Sequence, residues 1–219
     1  MSEAYYKADD DYTGRTTVPA LIDVQTGKVV NNDYNRLTNY FEVNFREFHG
    51  ENAPDLYPEE LREEIDKLNI WLFHNVNNGV YKTAFARSKE AFWDAYNAFY
   101  AALDILEERL VHQRFLFGDY VTDSDVRLYV TLARLDIRYA FQLGHTKQRL
   151  IDYKNLWGYA TDLYQIPAFK NNTYFKDFAN PSNKKAGHLM ETFNARFLDE
   201  INFDAYWGCL LYTSPSPRD

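Results

Sequence analysis

Cysteine is almost missing from this chain: its 219 residues contain one, Cys209. A disulfide framework is therefore excluded. Histidine is sparse as well. His49, His74, His112, His145 and His188 are dispersed, with no His-Glu-x-x-His and no Glu-x-x-His pairing, so no metal site is expected. No apolar run approaches the roughly 20 residues that span a bilayer, and no charged-then-apolar leader opens the chain. Basic residues are outnumbered, 24 Lys and Arg against 32 Asp and Glu for a net charge of −8, and they are scattered. That balance argues against a phosphate-neutralising surface. Gly-rich phosphate loops and a Gly-x-Ser-x-Gly elbow are also missing. What these absences leave is an acidic, cytoplasmic protein with neither nucleic-acid nor membrane partner.

Aromatic residues are plentiful, with 18 Tyr and 16 Phe, and they promise a sizeable core. Residues 209–219, Cys-Leu-Leu-Tyr-Thr-Ser-Pro-Ser-Pro-Arg-Asp, are expected to be the in-frame translation of a sequencing adapter. Residues 208–219 are accordingly set aside as an artefact, with genuine sequence ending near Trp207, and Cys209 is not taken as a nucleophile.

Thr16–Asp23 is β-branched and apolar and predicts a strand. Gln25-Thr26-Gly27-Lys28 supplies a turn, and Val29-Val30 a second strand of a hairpin. Pro19 inside the first strand marks an edge or a special backbone geometry. Asp33 is placed to cap a helix reaching about Phe48. Residues 49–58, with Gly50, Pro54 and Pro58, form a polar connector.

Beyond Pro58 the period is helical. Ile65, Leu68, Leu72 and Val76 lie at three- and four-residue spacing, and Asn77-Asn78-Gly79 predicts the end of that helix. Ser88 opens a second with a stripe of Ala91, Ala95, Ala98 or Phe99, Ala102, Leu106 and Leu110. Thr122 opens a third with Val126, Val130, Ala133, Ile137 and Phe141, closed by Gly144. A fourth runs from Asp152 to about Tyr164, Pro167 can start a fifth, and a short apolar helix is predicted near 193–201.

Thr122-x-x-Asp125 is the most informative local device, because hydroxyl and carboxylate can satisfy each other's backbone amides at a helix start. Its context, Phe115-Leu116-Phe117-Gly118-Asp119 and then Thr122 and Asp125, resembles the capping segment in the helical domain of glutathione transferases. Tyr12-Thr13-Gly14-Arg15-Thr16-Thr17-Val18-Pro19-Ala20-Leu21, Val29-Val30-Asn31-Asn32 and Asn77-Asn78-Gly79-Val80-Tyr81-Lys82 are similar to the glutathionyl-hydroquinone reductases, the Xi class of that superfamily. Arg134-Leu135-Asp136-Ile137-Arg138-Tyr139 fits the same class. The resemblance covers roughly residues 1–175.

The resemblance implies a mainly α fold. Residues 1–48 would be the closing β-β-α of a thioredoxin-like glutathione-binding domain, 49–58 a linker, and 59–207 the helical C-terminal domain. It implies a cis peptide before Pro19, with Val18 and Pro19 beside glutathione. Asp33 and Tyr34 would stand where the class usually has Glu-Ser for the γ-glutamyl end; Tyr34 loses the small hydroxyl. Tyr81 and Tyr139 would line the quinone pocket, their rings facing one cavity near the Val18–Pro19 loop. Glutathione is the implied co-substrate, a glutathionyl-hydroquinone the substrate, and a homodimer the assembly. The class's nucleophilic cysteine, followed by proline, has no counterpart here and is expected upstream, so this stretch alone is expected to be inactive. The alternative is a catalytically silent transferase-like module for dimerisation or assembly.

Overall fold

The computed structural model describes residues 1–143, 147–179 and 201–208. Gly144, the 180–200 stretch that holds most of the helix predicted near 193–201, and the 209–219 tail lie outside the described residues. The chain divides into two units, Met1–Arg62 and the residues from Glu63 onward.

In the first unit, the hairpin forms where its turn chemistry predicts. The Asp23 carboxylate accepts the Thr26 amide at 2.8 Å, and β1 (Leu21–Ile22) pairs antiparallel with β2 (Val29–Asn31). The first strand is shorter than the Thr16–Asp23 reading, because Pro19 has no N–H to give a ladder and pairing starts only after it. The Val18–Pro19 peptide is cis, as expected. A helix that the sequence reading missed, α1 (Ser2–Ala8), precedes the hairpin. Tyr5 anchors it, buried and donating its hydroxyl to the Thr17 carbonyl at 2.7 Å. The next helix, α2, spans Leu37–Asn44, with a 3-10 turn at Arg46–Phe48.

The second unit is helical. A 3-10 turn at Glu59–Leu61 leads into α3 (Arg62–Leu72), a π turn at Phe73–Asn77 and α4 (Gly79–Ala84). The predicted end at Asn77-Asn78-Gly79 coincides with this boundary, but a new helix starts there at once. Gly79 does not turn the chain; it is buried, and a Cβ there would stand 3.1 Å from the Phe99 ring. Its small size serves a close helix approach rather than a cap.

α5 (Lys89–Arg109) starts at Ser88, whose hydroxyl accepts the Ala91 amide at 3.1 Å. The expected stripe holds at Phe99, Ala102, Leu106 and Leu110, which are buried, and fails at Ala91 and Ala98, which are exposed; Tyr96, Tyr100 and Leu103 are buried beside it. Both sets have helical period, but the aromatic set hides far more apolar area. In α6 (Asp123–Arg134) the predicted stripe holds at Ala133, which is buried, and fails at Val130, which is exposed; Leu128, Tyr129 and Leu132 face inward as well. A second π turn, Leu135–Tyr139, joins α6 to α7 (Ala140–Leu143). A 3-10 turn at Leu150–Asp152 precedes α8 (Lys154–Gln165). The Glu107 carboxylate of α5 accepts the Asn155 and Leu156 amides at 2.8 and 2.7 Å, satisfying first-turn donors that α8 cannot satisfy itself. Then come α9 (Pro167–Lys170), opened by Pro167 as predicted, α10 (Phe175–Ala179) and the Phe203–Trp207 helix.

Candidate functional site

At the start of α6 several buried polar groups converge. Gly118, at φ 103°, closes a tight turn in which Phe115 and Gly118 exchange backbone hydrogen bonds of 2.7 and 3.3 Å. That turn aims the Leu116 amide at Asp125. The Asp125 carboxylate, with no exposure, accepts Leu116 N and Tyr159 Oη at 2.9 Å on one oxygen. On the other it accepts Thr122 N at 2.7 Å and Thr122 Oγ1 at 2.9 Å. The capping box is thus present and is extended by two donors from outside it. Burial pushes the Asp125 carboxyl above its ordinary range, and these donors oppose that rise. Neighbouring polar groups lock α3 to the same helix start. Asn69 Nδ2 donates to Asp123 at 2.8 Å, Ser124 Oγ donates to Asn69 Oδ1 at 2.7 Å, and Arg127 pairs with Asp123 at 2.7 Å.

From these anchors two helical runs lead to the predicted tyrosines. Each residue of a straight α-helix advances about 100°, so a four-residue step overshoots its face by about 40°. Leu72, Val76 and Val80 are nonetheless all fully buried across two such steps, and Leu135, Tyr139 and Leu143 repeat the pattern at 7% exposure or less. Each run contains a π turn. The Asn78 amide reaches the Phe73 carbonyl at 2.8 Å, and the Ala140 amide reaches the Leu135 carbonyl. Such turns recur at functional sites. Here one immediately precedes the helix of Tyr81 and the other ends on Tyr139.

The two tyrosines meet. Their hydroxyls are 3.3 Å apart, and their rings stand edge-to-face at 5.9 Å between centroids. Tyr139 is 7% exposed and Tyr81 40%, so the pair has a buried end and an open end. Phe85 stacks beside Tyr81 with planes 15° apart and centroids at 6.4 Å. A phenol can both donate and accept a hydrogen bond, and Tyr81 is the more exposed of the two. An aromatic wall with such a donor suits a planar, oxygen-bearing ring.

In the first unit, Val18 is 65% exposed and Tyr34 52%. Asp33 departs from its expected role. Its carboxylate accepts the Asn35 amide at 3.2 Å, folding a local turn, and α2 begins only after Arg36 with no side-chain cap.

Sequence reading missed Asn69, Asn77 and Asp136. Asn77 Nδ2 donates to the Arg127 carbonyl at 2.9 Å and to Thr131 Oγ1 at 2.7 Å. Asp136, inside the second π turn, accepts the Leu150 amide at 2.7 Å, and burial raises its carboxyl. The signal available for all three was a polar residue beside consecutive four-residue apolar steps. Among the described residues, no group of three or more His, Cys, Asp or Glu could hold a metal ion, and no helix is long and apolar enough to cross a membrane.

Comparison with known proteins places this geometry in context. Residues 57–162 match the glutathione S-transferase C-terminal domain. The chain is 38% identical over 180 residues to the glutathionyl-hydroquinone reductase YqjG of Escherichia coli, covering 82% of this chain and 55% of that protein. It is 37% identical over 156 residues to the glutathionyl-hydroquinone reductase PcpF of Sphingobium chlorophenolicum, covering 71% and 50%. The chain thus spans about half the length of these relatives. Among solved structures, a glutathione transferase from Gordonia bronchialis superposes with a TM-score of 0.77 at 41% identity, over 82% of this chain and 56% of that one. Glutathione-bound YqjG superposes with the same TM-score at 35% identity, over 88% and 62%.

Proposed function

From a chain homologous to the Xi-class glutathione transferases, carrying that superfamily's C-terminal domain at residues 57–162, we propose that the protein belongs to a reductase of glutathionyl-hydroquinones. The reaction consumes one glutathionyl-hydroquinone and one glutathione and yields the hydroquinone and glutathione disulfide. An upstream cysteine thiolate attacks the glutathionyl sulfur, and the C–S bond breaks. The aryl carbon leaves with the bonding electrons and takes up a proton, while glutathione stays on the enzyme as a mixed disulfide. A second glutathione then releases the disulfide and restores the thiolate.

Val18, Pro19, Asp33 and Tyr34 are assigned to glutathione, and Tyr81 and Tyr139 to the hydroquinone ring. The observation that carries this reading is the phenol pair, 3.3 Å between hydroxyls and open at Tyr81. A paired phenol can hold a hydroquinone oxygen and steady negative charge there as the C–S bond breaks. A cytoplasmic homodimer is the assembly we propose. Residues 1–219 alone should not turn over, since the nucleophile is assigned upstream.

The test is to express the gene at the length of its relatives and supply a glutathionyl-hydroquinone with glutathione. Hydroquinone and glutathione disulfide should form one to one, with none from residues 1–219. No turnover by the longer protein would overturn the reading.

A further inference from the structure

Asn77 ends the first π turn, four residues before Tyr81. Both donors of its side-chain amide are directed to α6, one to the Arg127 carbonyl at 2.9 Å and one to Thr131 Oγ1 at 2.7 Å. Thr131 is 3% exposed, and α6 runs from it into the second π turn, which ends on Tyr139. One half-buried amide therefore bridges the two helical runs that bring the phenols together. The bridge also matches the backbone: a widened turn has its own axial offset, and a rigid side-chain tie fixes that offset against a neighbouring helix. We infer that Asn77 is a positioning residue for the Tyr81–Tyr139 pair, setting the separation at which the two hydroxyls share a proton. This rests on the proposed substrate site only for its use in turnover; the geometry stands without it.

The test is a double-mutant cycle on this chain, Tyr81→Phe against Tyr139→Phe, read in the folding equilibrium constant. It is repeated in Asn77→Ala and in Thr131→Val, a milder variant that removes one acceptor and keeps Asn77. With Asn77 intact the two hydroxyls should be coupled by about fivefold, the range of a net hydrogen bond. In Asn77→Ala the coupling should vanish, and in Thr131→Val it should shrink. A residue that only stabilised the helices would lower stability and leave the coupling unchanged, and that result overturns the inference. Binding of 2-methyl-1,4-hydroquinone by the same chains, followed by saturation-transfer NMR, separates the two readings. If Tyr81→Phe leaves binding unchanged while the coupling still depends on Asn77, the substrate assignment fails and the positioning role stands.

Discussion

Asp33 and Asp125 both lie at helix starts, Asp33 before α2 and Asp125 in the first turn of α6, and both look like capping carboxylates in the sequence. They end in opposite situations. Asp33 is exposed and takes one amide at 3.2 Å inside a local turn. Asp125 has no exposure and takes four donors, two of them from outside its own box. A capping motif thus states only what its own few residues can do. Whether it becomes the anchor of a domain depends on what the rest of the chain delivers to it, here the Phe115–Gly118 turn and Tyr159 of α8.

The largest effect that would break this contrast lies at Asp125. Asp125→Ala would orphan buried donors from Leu116, Thr122 and Tyr159, so unfolding free energy should fall by about 3–5 kcal/mol, measured by denaturant titration. Asp125→Asn should be costly as well, because either orientation of its amide turns an NH₂ group on a pair of donors. A small loss for Asn would mean that Asp125 is held protonated and shares its own hydrogen. Asp33→Ala is the matched control. With one exposed hydrogen bond, it should shift stability by no more than about 0.5 kcal/mol; a loss as large as that at Asp125 would erase the comparison.

Legibility followed the same division. The Thr122–Asp125 box, the Ser88 cap, the hairpin turn and the Pro167 start were readable because each closes within a few residues. The face of α5 was read only in part, at Phe99, Ala102, Leu106 and Leu110, because Ala91, Ala95 and Ala98 carry the same period as Tyr96 and Leu103, and period ignores side-chain area. Asn69 and Asn77 were invisible because their partners lie 54 and 50 or more residues away. The π turns were not legible: Leu72, Val76 and Val80, and again Leu135, Tyr139 and Leu143, make two successive four-residue steps, but so do the buried Ala102, Leu106 and Leu110 on α5, which has no π turn. The boundary at Asn77-Asn78-Gly79 was legible, but Gly79 starts a new helix rather than reversing the chain, because glycine can serve close packing as well as reversal.

A smaller effect sharpens the account through pH. Burial raises the folded-state carboxyl of Asp136, so the folded protein binds that proton more tightly than the unfolded chain. Its contribution is complete below the unfolded value and is lost as pH rises through the folded one. The stability of the native chain relative to Asp136→Asn should therefore decline from the ordinary carboxylate range toward neutrality. A difference that grows with pH over that interval would contradict the burial-driven shift.

The central claim is that Tyr81 and Tyr139 form one substrate-binding unit, and the most direct measurement is kcat/KM for a glutathionyl-hydroquinone in the protein expressed at its relatives' length. Tyr81→Phe should lower it about threefold to tenfold, the worth of one hydrogen bond to the substrate, with the thermal midpoint lowered by no more than about 2–4 °C, the cost of the lost bond to Tyr139. Tyr139→Phe should do the same, and the double variant should lose little more than either single one, because the hydroxyls act as a pair. Turnover unchanged in both single variants would contradict the claim and leave the two rings as packing residues.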